Sequence, residues 1–241
     1  MLYTYRAYGE DMIVVVGGIK GGSGKTTAAT NLAVLRAADG FDVLLVDADE
    51  QESCYSFAQV RSETRPTDSL SCIKLTGPPV GREVRKLAAK YHDIIIDTGG
   101  RDTASQRAAL SVADIALVPF KPRSLDVWTL GQAAQMMEEA KGINTQLHAA
   151  TFLNMADSRG SDNIEASEIL RETDAFVFSG ISLGHRKAFS NAAANGLAVS
   201  ELSPIDVKAE QEIRSLYAYV FDMDRVSQTY VKDIKKEEIA K

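Results

Sequence analysis

The chain has 241 residues, 45% of them hydrophobic, so it can bury one large core and fold as a single α/β domain. Its 27 basic and 33 acidic residues give a net charge of -6, which excludes a protein that coats nucleic acid through overall positive charge. The two cysteines fit neither a disulfide framework nor a four-ligand metal site, the start MLYTYRAYGED is too polar for a signal peptide, and no apolar run approaches the ~20 residues that cross a bilayer. We therefore expect a cytoplasmic protein.

Short apolar runs alternate with helical stretches along the chain. The first run, Met12–Gly17, leads into glycines, and the segment from Thr26 to Gly40 has helical periodicity. The further strands that the pattern predicts are Val43–Val46, Ile94–Ile96, Ile115–Val118, Leu147–Leu153 and Ala175–Phe178. The stretches suited to helices are Val80–Lys90, Ser124–Ala140, Asp162–Glu172 and about Ile205–Phe221. This alternation predicts an α/β fold with a mostly parallel β-sheet flanked by helices on both faces.

The segment between the first strand and the first helix is typical of a phosphate-binding loop. It reads Lys20-Gly21-Gly22-Ser23-Gly24-Lys25-Thr26-Thr27. Its backbone N–H groups and the helix N-terminus can surround phosphates, Lys25 can reach the β and γ oxygens of ATP, and the Thr26 hydroxyl can ligate Mg²⁺. The strict G-x-x-x-x-G-K-[ST] pattern fails at its first glycine, where Ile19 stands, and Lys20 adds a second lysine. A glycine turn with an unrelated lysine explains less, because a strand precedes the loop and a helix follows it.

The letters KGGSGKTT resemble the deviant Walker A loop of the ParA/MinD group of P-loop ATPases. The resemblance extends from Met12 to about Phe221 and is most specific in this loop. It implies an ATP hydrolase in which Lys20 reaches the phosphates of ATP held by the opposite subunit, so that ATP binding joins two copies into a homodimer. The alternative for Lys20 is a solvated loop lysine.

Three carboxylates resemble those that complete the site in that family. The letters DADEQ after the second strand resemble the family's D-x-D-P-Q motif, although Glu50 replaces the usual proline. Alternation along an extended strand end puts Asp47 and Asp49 on one side. The resemblance implies that Asp49 orients the attacking water and that Asp47 helps to hold Mg²⁺ through its water shell. The run IIID resembles a Walker B strand that delivers Asp97 to the same shell. The alternative for Asp47 and Asp49 is that both carboxylates merely end a strand at the surface.

The residues after Asp97 and two later segments resemble weaker family motifs. Thr98–Arg101 is expected to be a switch segment, because its two glycines permit close approach to a γ-phosphate and movement when that phosphate leaves. The segment that ends in Asp126 resembles one that lines the family's dimer interface. Asn154 resembles the strand-end asparagine that hydrogen-bonds adenine, although an asparagine after a strand is also an ordinary turn residue. For Arg101, a surface ion pair is at least as good an interpretation as an arginine finger.

The resemblance leaves three classes of function to compare. A ParA-type partition ATPase binds DNA nonspecifically when ATP-bound and positions a plasmid, chromosome region or other cargo on the nucleoid with a ParB-like adaptor or activating protein. A MinD-like ATPase binds the membrane through a basic amphipathic C-terminal helix, but the tail here alternates charge sign and has few large apolar groups. An electron-transfer relative needs more cysteine ligands than this chain has. We therefore expect the partition class and no membrane partner.

The DNA-binding residues and the domain limits complete the prediction. The basic residues expected to contact DNA phosphates are Arg186, Lys187, Lys208 and Arg214, with a solvated charged face as the alternative. We expect residues 1–11 to form a short extension, 12–221 the P-loop ATPase domain, and 222–241 a charged tail on the same domain. Only some eleven residues precede the first strand, so no helix-turn-helix domain is expected there.

Overall fold

The computed structural model of the protein describes residues 11–124, 127–157 and 161–221. The strands are Met12–Val16 (β1), Val43–Ala48 (β2), Ser71–Lys74 (β3), Asp93–Thr98 (β4), Ile115–Phe120 (β5), His148–Ala156 (β6) and Val177–Gly184 (β7). The α-helices are Lys25–Ala38 (α1), Ser53–Thr64 (α2), Pro79–Leu87 (α3), Ala104–Leu110 (α4), Val127–Ile143 (α5), Asp162–Arg171 (α6), Lys187–Ala194 (α7) and Val207–Phe221 (α8).

The strands form one parallel sheet in the order β3-β2-β4-β1-β5-β6-β7. Each neighbouring pair runs parallel, as in the register of Val15 with Ile96 on one side of β1 and with Ala116 on the other. β1 therefore lies in the middle: the chain places β2, β3 and β4 on one side of it, with β4 next to β1, and then β5, β6 and β7 in order on the other side. Ligands of open parallel sheets bind outside the carboxyl ends of the strands at such a reversal. The loop after β1 starts at that point.

Two hydrophobic cores cover the two faces of the sheet. Alternate residues of a strand point to opposite faces, so Val14 and Val16 pack on one side with α1, α2, α7 and α8, while Val15 packs on the other side with α3 to α6. The predicted parallel sheet with helices on both faces is confirmed.

The sequence pattern missed four elements, and it ended the strands β6 and β7 too early. β3 is four residues long and only half-buried, so its apolar signal is weak. The helices α2, α4 and α7 are short or polar, and α4 begins at a local cap in which the Thr103 hydroxyl accepts a hydrogen bond from the Gln106 N–H at 3.2 Å. β6 continues to Ala156 and β7 to Gly184, beyond the predicted strand ends.

The predicted domain limits remain predictions. Residues 1–10 and the tail 222–241 lie outside the described residues, as does Asp126. Within the described ranges, none of the helices combines the length and the apolar character needed to cross a membrane.

Candidate nucleotide site

The glycine-rich loop joins β1 to α1 at the centre of the sheet. Gly22 and Gly24 have φ angles of 68° and 90°, in the left-handed region that favours glycine, and Gly24 is the residue that starts α1. None of the described side chains caps this helix start, so its N–H groups and positive dipole end can bind an anion. The predicted phosphate loop therefore has the backbone geometry that its chemistry requires.

The Lys25 side chain is held by the backbone of Lys20. The Lys25 ammonium donates a hydrogen bond to the Lys20 carbonyl oxygen at 3.1 Å, and the Ser23 hydroxyl donates to the same oxygen at 3.2 Å. Burial lowers the pKa of Lys25, while the carboxylates of Asp97 and Asp49 oppose that change. A buried lysine close to two carboxylates gains strongly from a phosphate that adds negative charge beside it.

The Thr26 hydroxyl donates a hydrogen bond of 2.7 Å to Asp97 Oδ2, which joins the start of α1 to the end of β4. Asp97 is fully buried, and its Oδ1 has no hydrogen-bond partner among the described residues. Burial raises the pKa of Asp97 to about 7, and the neighbouring Asp47 adds to the effect. An unpaired buried carboxylate oxygen beside a threonine hydroxyl fits the oxygen ligands of Mg²⁺ and its water shell.

This arrangement limits how Mg²⁺ is held. Within the described ranges, no group of three or more histidine, cysteine, aspartate or glutamate side chains is arranged to hold a metal ion. Mg²⁺ commonly keeps several waters and binds through one or two carboxylates together with substrate phosphates. Thr26 and Asp97 would hold the ion in this way, and the ion would supply charge neutralisation at the β and γ phosphates.

The two aspartates at the end of β2 have different surroundings. Both oxygens of buried Asp47 accept backbone hydrogen bonds, from the Asp49 N–H at 3.1 Å and from the Tyr55 N–H at 2.8 Å. Burial raises the pKa of Asp47, and these backbone donors partly offset the rise. Asp47 therefore stabilises the turn from β2 to α2, and its contact with a Mg²⁺ water shell stays a prediction. Asp49 Oδ1 accepts a long hydrogen bond from the Gln51 N–H at 3.2 Å, and Asp49 lines the central cavity.

The predicted switch segment lies against both Asp49 and the phosphate loop. A Cβ atom added to Gly99 would stand 3.2 Å from Asp49 Oδ1. A Cβ added to Gly100 would stand 2.5 Å from the Gly21 Cα and 2.6 Å from the Gly21 nitrogen. Only glycine allows the approach of Gly100 to the Gly21 backbone, and this contact links the end of β4 to the phosphate loop.

One cavity of about 950 Å³ is lined by Lys25 and Thr26 of the phosphate loop, by Asp49 after β2 and by the segment from Gly99 to Arg101. Met155 also lines it. Its size is within the ~300–1,000 Å³ range of small-molecule sites. Predicted residues far apart in sequence thus meet around one space large enough for a nucleotide.

Comparison with known proteins identifies the family. The family model for the CobQ/CobB/MinD/ParA nucleotide-binding domain matches residues 14–199. The chain belongs to this ParA/MinD family. Maintenance of carboxysome distribution protein A of Halothiobacillus neapolitanus is 28% identical over 205 residues, which are 84% of this chain and 93% of that protein. Protein ParA of Rhizobium radiobacter is 29% identical over 142 residues, 58% of this chain and 63% of that protein. The predicted family is confirmed.

Solved structures agree on the fold. The McdA–ATP complex from Cyanothece matches with a TM-score of 0.67 at 17% identity, covering 87% of this chain and 97% of that chain. At this identity the likeness shows the fold alone. It is the P-loop fold of the ParA/MinD family, with ATP bound in that relative.

Asn154 braces the phosphate loop in this ParA/MinD-family chain. Its amide Nδ2 donates to the Ser23 carbonyl oxygen at 2.7 Å, and its Oδ1 accepts from the Met155 N–H at 2.9 Å. A Cβ on Gly24 would collide with the Asn154 amide. The structure therefore shows a positioning contact that the sequence did not suggest, and the predicted contact of Asn154 with adenine stays a prediction.

Gln106 is a further residue of the site that sequence reasoning missed. It is fully buried on α4, where its Oε1 accepts from the Thr98 hydroxyl at 2.7 Å and from the Gly18 N–H at 3.3 Å. Its Nε2 approaches the Met136 sulfur at 2.7 Å. One amide thus ties the start of the phosphate loop to the end of β4. A glutamine in a helical stretch has no motif that signals this role.

The four residues predicted to contact DNA differ in their surroundings. The Arg186 guanidinium pairs with Glu212 at 2.6 Å, and Arg214 pairs with Glu210 at 2.9 Å. Lys187 and Lys208 are exposed and form no ion pair within the described ranges, while Arg186 and Lys208 line one cavity of about 390 Å³. The sequence did not reveal the glutamate partners on α8, and the DNA contacts of all four residues stay predictions.

Proposed function

We propose that this chain hydrolyses ATP and acts as a switch that dimerises when ATP is bound. The observation that carries the proposal is the position of Asp49. Its carboxylate lies beside Gly99 on the wall of the cavity that the phosphate loop closes, with few hydrogen bonds of its own. A carboxylate there can accept a hydrogen bond from water and orient it toward the γ-phosphate, while Lys25 and the loop N–H groups hold the charge that develops.

Lys20 is proposed to act across the dimer. Its backbone carbonyl oxygen receives the Lys25 ammonium within the loop, so the Lys20 backbone lies next to the lysine that serves the nucleotide of its own subunit. Lys20 would then contact the γ-phosphate held by the second copy, which makes dimerisation depend on ATP and makes hydrolysis release it. In this proposal the rate of ATP hydrolysis sets how long the dimer lasts.

The test compares Lys20→Gln with Lys90→Gln. The second variant removes the same charge from an exposed residue before the start of β4, at the end of the sheet opposite the phosphate loop. Light scattering with MgATP should show dimers for the wild type and Lys90→Gln but monomers for Lys20→Gln, with ADP as the monomeric reference. Nucleotide binding by the monomer should survive in both variants. Equal dimerisation of all three proteins would remove Lys20 from the cross-subunit role.

The ATP-bound dimer is further proposed to bind DNA without sequence preference and to position a large cargo through a ParB-like adaptor or activating protein. The similarity to a protein named for carboxysome distribution and to a protein named ParA supports a positioning role. Exposed Lys187 and Lys208 are the cations best placed for phosphate contacts, because Arg186 and Arg214 already pair with glutamates. A dimer would double this local patch on an otherwise acidic chain.

The DNA proposal is tested against random duplex DNA and anionic liposomes, each with ATP or ADP. We expect ATP-dependent DNA binding that weakens with salt by a logarithmic slope of roughly -0.9 per phosphate neutralised. Lys187→Ala together with Lys208→Ala should reduce both the affinity and the slope, whereas Lys90→Ala should change neither. Liposome binding without DNA binding would instead support the MinD-like membrane class.

A further inference from the structure

Trp128 is the chain's only tryptophan and is 84% exposed. Its indole leaves more apolar surface in contact with water than any other exposed apolar side chain of the described residues. Tryptophan is also enriched among the few residues that dominate protein interfaces. Covering the exposed indole on the first turn of α5 with a partner surface would therefore stabilise a complex.

Trp128 belongs to the helix that follows β5, a strand that ends next to the phosphate loop. β5 ends at Phe120, and the next residue, Lys121, places its ammonium 3.8 Å from where a Cβ on Gly22 would stand. α5 begins at Val127, only a few residues later. The start of α5 therefore follows a strand end that lies beside the phosphate loop.

A hollow of about 370 Å³ is lined by Gln132, Gln135 and Met136 of α5, and Gln132 lies one helical turn after Trp128. Ile19 and buried Met136 supply apolar atoms, and Gln132 and Arg101 stand at its sides. Arg101 also lines the nucleotide cavity, so the hollow and that cavity are neighbours on one surface. The hollow is within the ~300–1,000 Å³ range that accepts drug-sized ligands, and an indole is smaller than these.

We propose that Trp128 inserts into this hollow of a second copy of the chain in the ATP-bound dimer. The inference rests on the proposed ATP-dependent dimerisation and names the contact that completes it. In a twofold dimer each copy contributes one indole and one hollow. Trp128 and Gln132, at i and i+4, share a side of α5 with Gln135, which is about 10 Å further along the helix. If the twofold axis of the dimer passes between Trp128 and Gln135, the two α5 helices lie against each other. Each indole then faces the hollow of the opposite copy.

The charge around the hollow suits an aromatic ring. Arg107 at its rim is held by Asp102 at 2.6 Å and by Glu139 at 2.6 Å, so the guanidinium has a fixed orientation. Arginine guanidinium groups attract the face of an indole through cation–π interaction, most strongly when both are desolvated. Ile19 offers an indole apolar contact, Gln132 and Gln135 offer hydrogen-bond partners for its N–H, and the oriented Arg107 guanidinium offers a cation–π contact.

The first test uses the intrinsic fluorescence of the full chain, since Trp128 is the only source of tryptophan emission. With Mg²⁺ and a non-hydrolysable ATP analogue, the emission should shift to shorter wavelength and acrylamide quenching should fall, whereas ADP should change neither. Both changes should follow protein concentration with the same midpoint as dimer formation measured by light scattering. Dimers in which Trp128 stays as quenchable as with ADP would overturn the inference and leave the proposed function intact. A shift that does not depend on protein concentration would also overturn it, and a failure to form dimers at all would remove the proposed function as well.

The second test uses variants and light scattering. Trp128→Ala should raise the dimer dissociation constant by at least about tenfold, the size typical of a central aromatic anchor. Trp128→Phe should restore part of the loss because it keeps an aromatic face. Ile143→Ala, at the other end of α5 and 76% exposed, is the matched control and should dimerise as the wild type does. Nucleotide binding by the monomer should be equal in all four proteins, and wild-type dimerisation by Trp128→Ala would contradict the proposal.

Discussion

The contact between Gly100 and the phosphate loop makes a single methyl group a sharp test of the site. In Gly100→Ala the new Cβ would stand 2.5 Å from the Gly21 Cα, 2.6 Å from its nitrogen and 3.1 Å from the Lys20 carbonyl carbon. Carbon atoms pack best at about 3.5–4.0 Å, so the two backbones must separate by about 1 Å. Both sides are main chain, and no rotamer change can relieve the clash.

We expect two consequences of that separation. Overpacking of this kind costs about 1–3 kcal/mol of unfolding free energy, which lowers Tm by roughly 2–4 °C per kcal/mol in a chain of this size. The shift also moves Gly99 and Asp49 relative to the phosphate loop, and a misplacement of about 1 Å can cost up to a hundredfold in rate. Calorimetry and steady-state phosphate release from ATP measure the two effects.

A matched control is Gly142→Ala, inside α5, where an added Cβ meets nothing within 4 Å. Replacing a helical glycine with alanine should leave turnover unchanged and raise stability by roughly 0.5–1 kcal/mol. Gly100→Ala with the Tm and turnover of the wild type would show that the segment moves freely, and the reasoning from close backbone approach would then be wrong.

Three further substitutions test the remaining parts of the site. Lys25→Ala should weaken binding of a fluorescent ATP analogue by roughly 30-fold or more, because truncating one partner of a buried charge contact costs about 2–5 kcal/mol; unchanged affinity would refute the phosphate-loop assignment. Asp49→Ala should bind ATP normally but release phosphate slowly, so that dimers persist in size-exclusion chromatography, and wild-type turnover would exclude Asp49 from catalysis. Because burial raises the pKa of Asp97 to about 7, the nucleotide-free fold binds its proton more tightly than the unfolded chain does, so stability should fall as pH rises from about 4 to about 7. Asp97→Asn should lack that fall and exceed the wild type in unfolding free energy at pH 8 by on the order of 4 kcal/mol, as urea titration can show; equal stability at pH 8 would contradict this account.

The sequence by itself determined the phosphate loop and the general architecture. The strand, glycine turn and helix that form the loop are contiguous, so local backbone preferences and one lysine pattern are enough to recognise them. The alternation of apolar runs with helical stretches likewise predicts a covered parallel sheet, since each signal depends on residues close in the chain. The roles expected for Asp49 and Asp97 came from the resemblance of DADEQ and IIID to motifs of the family.

Only the tertiary structure decided which of these residues touch. Thr26 and Asp97 are 71 residues apart and meet because β1 and β4 are neighbours, which no local pattern reveals. The same strand order brings Gly100 against Gly21 and places Gln106 between β1 and β4. Contacts of this kind arise from the order of strands across the sheet, and that order is set by the packing of the whole chain rather than by any segment of it.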